Sequence, residues 1–469
     1  MISSTVVISL ILITVIIYTF IGIVYSKGKI ENIDDYLTAR GSTGSQRLTA
    51  TFLASFIGVF ILFTPPEAGA IGGIATIIGY AFGAASLYFA FSILSPKVRA
   101  YLPEGSTISD YALKRYGSKM YVLTILLSIF YMLVHLIAQL TAIAQVAFQM
   151  AEVPLVYTAL LVGAATMIYT TYGGLKASMF TDAIQMVLII VLTITVAAGV
   201  LYYSGGMGEI IRQTQVNRPD LLDIGNIGGI EYGLTLCIGV FAANLFHQGY
   251  WQRIYSGKND AAIKKSLIAC ILVVLPIMFI TGFIGIASAG MGIGDNPSVA
   301  LFALVYELFP TGLIIAAFIL ALVLVMSTVD TLLNAMVATF AIKRKKENKS
   351  MLSLQKARWM TVILIIISVI IASRGYSVLT LFLVADLVCA GVFIPLFFGL
   401  YSPKLRENTA VLGAVLGVAS GVPFFIQNKL FIAFLIPIFV SAGICILGNK
   451  FAPLEAAEER KEMEEMKAL

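Results

Sequence analysis

Residues 46–73 read QRLTATFLASFIGVFILFTPPEAGAIGG, an apolar run interrupted by Gly58 and by the pair Pro65-Pro66. A helix needs about 20 apolar residues to cross the hydrocarbon of a bilayer, and this run exceeds that. Glycine and proline continue a helix poorly, so the pattern predicts a spanning helix broken along its length. A second run, GIEYGLTLCIGVFAANLFHQG at 229–249, is alike in kind, interrupted by Gly239 and by Asn244-Leu245-Phe246-His247-Gln248-Gly249. A broken helix exposes unpaired carbonyls and amides, tolerated at membrane depth only where they line a cavity. Carbonyls freed in this way suit a dehydrated cation.

Composition supports the membrane reading. The 469 residues are 59% hydrophobic and 12% charged, with a mean hydropathy of +0.94, whereas soluble domains carry about 25% charged residues. Too few charges are present to cover so apolar an interior in water. A disordered chain, a disulfide scaffold and a nucleic-acid partner are excluded on the same grounds, and bilayer lipid is the expected surround. Cys237, Cys270, Cys389 and Cys445 fall inside apolar runs at unrelated spacings, giving neither a zinc site nor a disulfide framework.

Apolar runs near 4–26, 46–73, 74–98, 120–150, 154–171, 179–204, 229–249, 263–290, 313–341, 352–373, 376–401, 408–424 and 428–448 predict thirteen spans. The first lacks a basic leader and a cleavage site and reads as a retained helix. With the N-terminus outside, 27 of the 31 basic residues, Arg253 among them, fall in inner segments and only Arg212, Arg218, Arg374 and Lys429 fall outside. That asymmetry predicts an N-out, C-in topology in the plasma membrane. Glu455–Leu469, rich in Glu with interspersed Lys and Arg, reads as a solvated cytosolic helix.

Five spans run from 46 to 204 and five more from 229 to 402. Five is odd, so the second set enters the membrane from the opposite face, which is the arithmetic of an inverted repeat opened in each half by a broken helix. The expected organisation is an extra helix and inner loop at 1–45, repeats at 46–204 and 229–402, two further helices within 403–448, and a tail at 449–469. No obligatory protein partner is inferred.

Acids inside spans are costly and usually mark function. Those here are Glu67, Asp182, Asp330 and Asp386. Ser327, Thr328, Asp330 and Thr331 share an arc of about 160° on the 313–341 helix, and hydroxyls with a carboxylate on one stripe suit a hard cation. For Asp182, within Gly173–Gln185, a helix cap and an ion ligand are equally open. Glu67 reads as a cap of the outer half-helix, Asp386 sits about ten residues into its span, and His135 reads as a packing histidine. His247, beside Asn244 and Gln248 in the second break, is a binding or gating candidate.

These features together resemble the sodium/solute symporter family, whose core is a LeuT-type all-α inverted repeat of five plus five helices. The resemblance covers nearly the whole chain. It rests on GGxxAxxxTDxxQ at 173–185, on Asn244-Leu245 with Gly249, Gln252-Arg253 and Lys258, on Met326-Ser327-Thr328, and on Pro395 with Gly399-Leu400-Tyr401 and Gly413. It implies a sodium site built from the Ala54, Ile57 and Leu324 carbonyls and the Ser327 and Thr328 hydroxyls. A second ion site would use Asp182, Asp330 and Thr331. Asn244 would correspond to a sugar ligand and His247 to an inner-gate tyrosine of sugar carriers. Phe56 and Gly58 replace an Asp and a Ser of proline carriers, and Phe60-Ile61 stands where sugar carriers have Gln. Asp330 stands where relatives often have Ser, which leaves proton coupling as an alternative.

The expected activity is therefore not enzymatic. It is sodium-coupled import of a small solute such as an amino acid, a monocarboxylate or a urea-like compound. The solute would bind near Ser55, Phe56, Gly58, Asn244, His247, Gln248 and Asp386. An intramembrane aspartyl protease using Asp182, Asp330 and Asp386 is the rival from another class, disfavoured because none of the three lies in a GxGD pattern. A channel is disfavoured by the broken-helix repeat.

Overall fold

The computed structural model describes residues 2–26, 40–345 and 354–451, except the side chains at 22–23, 25–26, 169–177, 338, 340–345 and 354–358. The Gly173-Gly174 pair and Lys176, much of the basic set used to orient the chain, and the acidic tail lie outside that description. All regular elements described are helical. The first, α1, is Ser4–Ser26.

The predicted break in 46–73 falls at Ile57-Gly58. Helix α2, Ser45–Phe56, ends there; a short 3-10 turn covers Val59–Leu62, and α3, Thr64–Tyr101, follows. Pro65 and Pro66 stand at the start of α3, where a missing amide proton costs nothing because the first-turn amides have no helical partner. Within α3, Gly73 has φ 69 and ψ −158, which kinks the element between the two predicted spans. The second break is equally sharp. Helix α8, Ile227–Asn244, stops before Leu245-Phe246-His247, and α9, Gln248–Ser256, resumes. Ahead of α8 lie α4 (Ile108–Arg115), α5 (Ser118–Ala151), α6 (Leu155–Tyr203) and α7 (Met207–Asn217). After α9 come α10 (Asp260–Gly290), α11 (Ala300–Leu308), α12 (Thr311–Lys345), α13 (Leu354–Ala372), α14 (Val378–Phe398), α15 (Glu407–Ile426) and α16 (Leu430–Lys450).

Among the described residues, 10 helices are long and apolar enough to span a membrane. The expected thirteen are not reproduced as thirteen such helices, for three local reasons. The 46–73 span is divided by its break between α2 and the start of α3. The 154–171 span is represented by the shorter apolar piece Leu155–Ile168, and the 352–373 span by Trp359–Ala372.

Two packing groups form. Helix α3 runs against α8 and α10, while α12 packs on α5 and α6, and α13 on the same two. The first group is held at backbone contact. A Cβ at Gly285 of α10 would lie 1.9 Å from the Pro66 carbonyl oxygen, and one at Gly79 of α3 would lie 2.4 Å from the Gly233 backbone of α8. In lipid, where apolar side chains gain nothing by leaving solvent, such close approach is the main source of helix association. The buried Glu67 carboxylate accepts hydrogen bonds from Ser298 (2.7 Å) and Ser377 (3.2 Å). Glu67 thus joins the first turn of α3 to the segment before α11 and to the cap of α14, a wider role than the cap expected. The Arg115 side chain donates to the carbonyls of Gly399 and Ser402, tying α4 to the end of α14.

Gly285→Val should lower thermal stability in detergent by about 1–3 kcal/mol or prevent folding, as overpacking does. Gly443→Val on α16, where a Cβ meets nothing within 4 Å, should leave the melting temperature unchanged.

Candidate functional site

At the first break the helix ladder stops and its carbonyls turn inward. The Ala54 carbonyl faces Ser327 Oγ of α12 at 3.0 Å. Among the described residues the Ile57 carbonyl receives no hydrogen bond. Gln139 of α5 accepts from the Val59 amide at 3.0 Å, satisfying one donor that the break releases. Gly58 is required by space: a Cβ there would lie 2.7 Å from Thr328 Oγ1 and 2.9 Å from the Gln139 amide. Thr328 Oγ1 itself donates to the Leu324 carbonyl at 3.0 Å. Ser327 of α12 thus meets the Ala54 carbonyl of α2, and Thr328 lies against Gly58 at the break.

The chemistry of that spot follows from counting protons. Ser327 Oγ lies 2.8 Å from Asp182 Oδ1 as well as 3.0 Å from the Ala54 carbonyl. A hydroxyl has one proton to give. When the shorter contact to the carboxylate takes it, a Ser327 lone pair and the Ala54 carbonyl are left face to face. Two oxygens in that relation repel unless a cation lies between them, and all-oxygen ligand sets are what hard cations prefer.

Beside this spot lies a second cluster. Asp182 and Arg253 are both fully buried and form an ion pair at 2.9 Å. Asp182 also accepts from Thr51 at 2.6 Å. The Arg253 guanidinium donates to Thr51 (2.9 Å), Thr331 (2.8 Å) and the Gly249 carbonyl (3.2 Å). Asp330 accepts from Ser178 at 3.0 Å and from Thr331 at 3.2 Å. Asp182, Asp330 and Thr331 are thus brought together as expected, but around a guanidinium. Arg253, counted from sequence with the inner basic residues, has none of its surface exposed. Its neighbours Tyr250-Trp251 and Ile254-Tyr255 were the available signal, since an Arg flanked by large apolar residues is a candidate for burial with a partner.

The expected solute residues divide. Phe56, Asn244 and Asp386 line a small cavity of about 20 Å³ together with Phe60, Tyr80, Tyr131, His135, Val240 and Phe382. Ser55 points elsewhere, donating to the Thr51 carbonyl with Thr331 Oγ1 at 3.4 Å. The Gln248 amide is engaged by the Ile108 backbone, Ser109 and Ser128, fastening α9 to α4 and α5. His247 stacks on Tyr250 with ring centroids 4.3 Å apart and lies 6.0 Å from His135. His135, expected as a packing residue, lies on the cavity wall 4.4 Å from both Tyr131 and Phe382. Tyr131 and Phe382, missed in the sequence, face the cavity because α5 and α14 both cross behind the first break.

A model of the sodium:solute symporter family matches residues 36–417. A spermidine transporter of Candida albicans is 26% identical over 403 residues, covering 83% of this chain and 75% of its own. The sodium/proline symporter of Salmonella typhimurium is 25% identical, over 92% of this chain and 90% of its own. In fold, the chain is similar to a Na+-coupled sialic acid symporter solved in a substrate-bound outward-open state. The TM-score is 0.76 at 18% identity, covering 96% of this chain and 98% of that one.

Removing one partner of a buried ion pair strands a charge, at a cost of about 3–5 kcal/mol. Arg253→Met should accordingly destabilise strongly in thermal unfolding. Adding Asp182→Asn should recover part of the loss, so that a double-mutant cycle gives a clearly non-additive result.

Proposed function

Because the chain belongs to the sodium:solute symporter family, we propose that it imports a small organic solute by alternating access, capturing sodium where the α2 break meets α12. The chain is a multi-pass membrane protein and a sodium-coupled transporter, not an enzyme. The further parts of the reading are the site residues, the solute and the placement, which is the plasma membrane with the N-terminus outside.

One observation carries the reading. Ser327 Oγ and the Ala54 carbonyl stand 3.0 Å apart while Asp182 competes for the only hydroxyl proton. Sodium between them, completed by the Ile57 and Leu324 carbonyls and the Thr328 hydroxyl, would relieve that conflict and bridge the bundle helix α2 to α12. Coupling requires the ion to bind one arrangement of the two packing groups better than the other. Helix α2 packs on α10 of one group and on α6 of the other, so rocking the groups against each other would change a site shared by α2 and α12.

The second set, Asp182, Asp330 and Thr331, is proposed to act through Arg253. Its guanidinium already bridges Asp182 and Thr331, supplying from the chain the positive charge that a second ion would bring. Solute identity is not inherited from the relatives, because one is named for spermidine and another for proline.

Sodium should raise the melting temperature of the purified protein and potassium should not, since a ligand that binds only the folded state stabilises it by mass action. Ser327→Ala should move the half-saturating sodium concentration upward about tenfold or more, equivalent to about 1.4 kcal/mol of binding. Sodium-dependent stabilisation unchanged in that variant would refute the assigned site.

A further inference from the structure

Asp386 is the feature of the cavity that the ion site does not use. It lies within α14, only 6% exposed, and among the described residues it has neither a hydrogen bond nor an ion pair. The contrast with Asp182 is direct: that acid, equally deep, is held by Arg253, Thr51 and Ser327. Space for the Asp386 carboxylate is made by Gly239 of α8, where a Cβ would come within 3.0 Å of it. An acid kept at membrane depth without a partner costs several kcal/mol, a cost relieved when a cation arrives.

The walls around it are of one kind. Phe56, Phe60, Tyr131 and Phe382 line the cavity. Phe60 packs edge-on against both Phe56 and Phe382, with ring centroids 5.7 and 5.6 Å apart. Aromatic faces carry negative potential and attract ammonium groups, an interaction that strengthens when water is excluded. No Lys or Arg lines the cavity. Of the polar groups that do, the Tyr80 hydroxyl is already engaged by Thr64 at 2.7 Å and the Asn244 amide donates to the Val240 carbonyl at 2.9 Å, while the Tyr131 hydroxyl and the His135 ring complete the wall.

We propose that the transported solute is a small organic cation, an amine or quaternary ammonium, whose positive charge pairs with Asp386 inside the aromatic walls. This rests on the symporter reading above and narrows it. A monocarboxylate would meet a bare carboxylate and no Lys or Arg. A zwitterion would pair its ammonium and leave its own carboxylate with no Lys or Arg to meet it. A neutral urea-like compound would leave Asp386 uncompensated. One acid with no Lys or Arg beside it fits a solute with a single positive charge.

The test uses full-length protein in proteoliposomes under an inward sodium gradient. Cationic probes are choline, tetramethylammonium and butylamine. Their comparators are dimethylbutanol (the uncharged isostere of choline), glycine betaine, urea and propionate. Uptake of, or competition by, at least one cationic probe at tenfold or more lower concentration than every comparator is the expected result. Asp386→Asn should then weaken that probe at least tenfold while sodium still raises the melting temperature, which shows that the variant is folded and its ion site intact. Asp386→Glu should restore part of the affinity.

Sodium-driven uptake of a neutral, zwitterionic or anionic comparator in preference to all the cations would overturn the assignment and leave symport standing. Equal cation affinity in Asp386→Asn would overturn it as well. Absence of any sodium effect on either uptake or melting would instead remove the symporter reading, and this inference with it.

Discussion

Backbone carbonyls inside a bilayer must be given partners, and the Ile57-Gly58 break withdraws them from the helix ladder. Most of the molecule near the midplane can be understood as a response to that withdrawal. Gln139 reaches across from α5 to the Val59 amide, α12 presents Ser327 to the Ala54 carbonyl, and glycine at 58 lets Thr328 of α12 and Gln139 of α5 come close. At the second break the indole of Trp251 donates to the Leu245 carbonyl at 2.8 Å. Irregular backbone survives at this depth because protein, rather than lipid, surrounds it. The arrangement that satisfies the chain also sets the Ser327 hydroxyl 3.0 Å from the Ala54 carbonyl.

Electrostatics divide the interior into two compartments with different rules. Around Asp182 charge is internally balanced, with a guanidinium held by four acceptors drawn from three helices and from its own turn. A buried pair of this quality contributes little net stability compared with an apolar replacement, but it fixes which surfaces meet. Around Asp386 there is no such partner among the described residues, and the wall is mostly aromatic. One compartment pairs an acid with a guanidinium, while the other leaves its acid without a partner. Since α2 borders both, through Ala54 on one side and Phe56 on the other, filling either compartment restrains the same short helix. That shared wall is a direct physical route for coupling.

Much of this was legible in the residues. Apolar runs with Gly58 and Pro65-Pro66 located the first break, and the Asn244–Gly249 stretch located the second. The stripe Ser327-Thr328-Asp330-Thr331 found the face of α12 that meets α2, because helical periodicity converts spacing into direction without further information. Spacing failed where partners come from distant segments. Gln248 and Ser55 were assigned to the solute by proximity in sequence, yet packing commits them to α4, α5 and α12. Arg253 was counted as an inner surface charge, since a positive-inside tally weighs position along the chain and knows nothing of the carboxylate 71 residues away.

The sequence by itself settled that the chain crosses a membrane many times, where two of its helices break, and which face of a third carries hydroxyls beside a carboxylate. Those properties are local, written in hydropathy, in glycine and proline, and in a period of 3.6 residues. Only the tertiary structure decided which acids share a neighbourhood, that Arg253 neutralises one of them, and that Phe60, Tyr131 and Phe382 enclose another. Such relations depend on how helices far apart in the chain pack against each other, and no single segment encodes its partner's side chains.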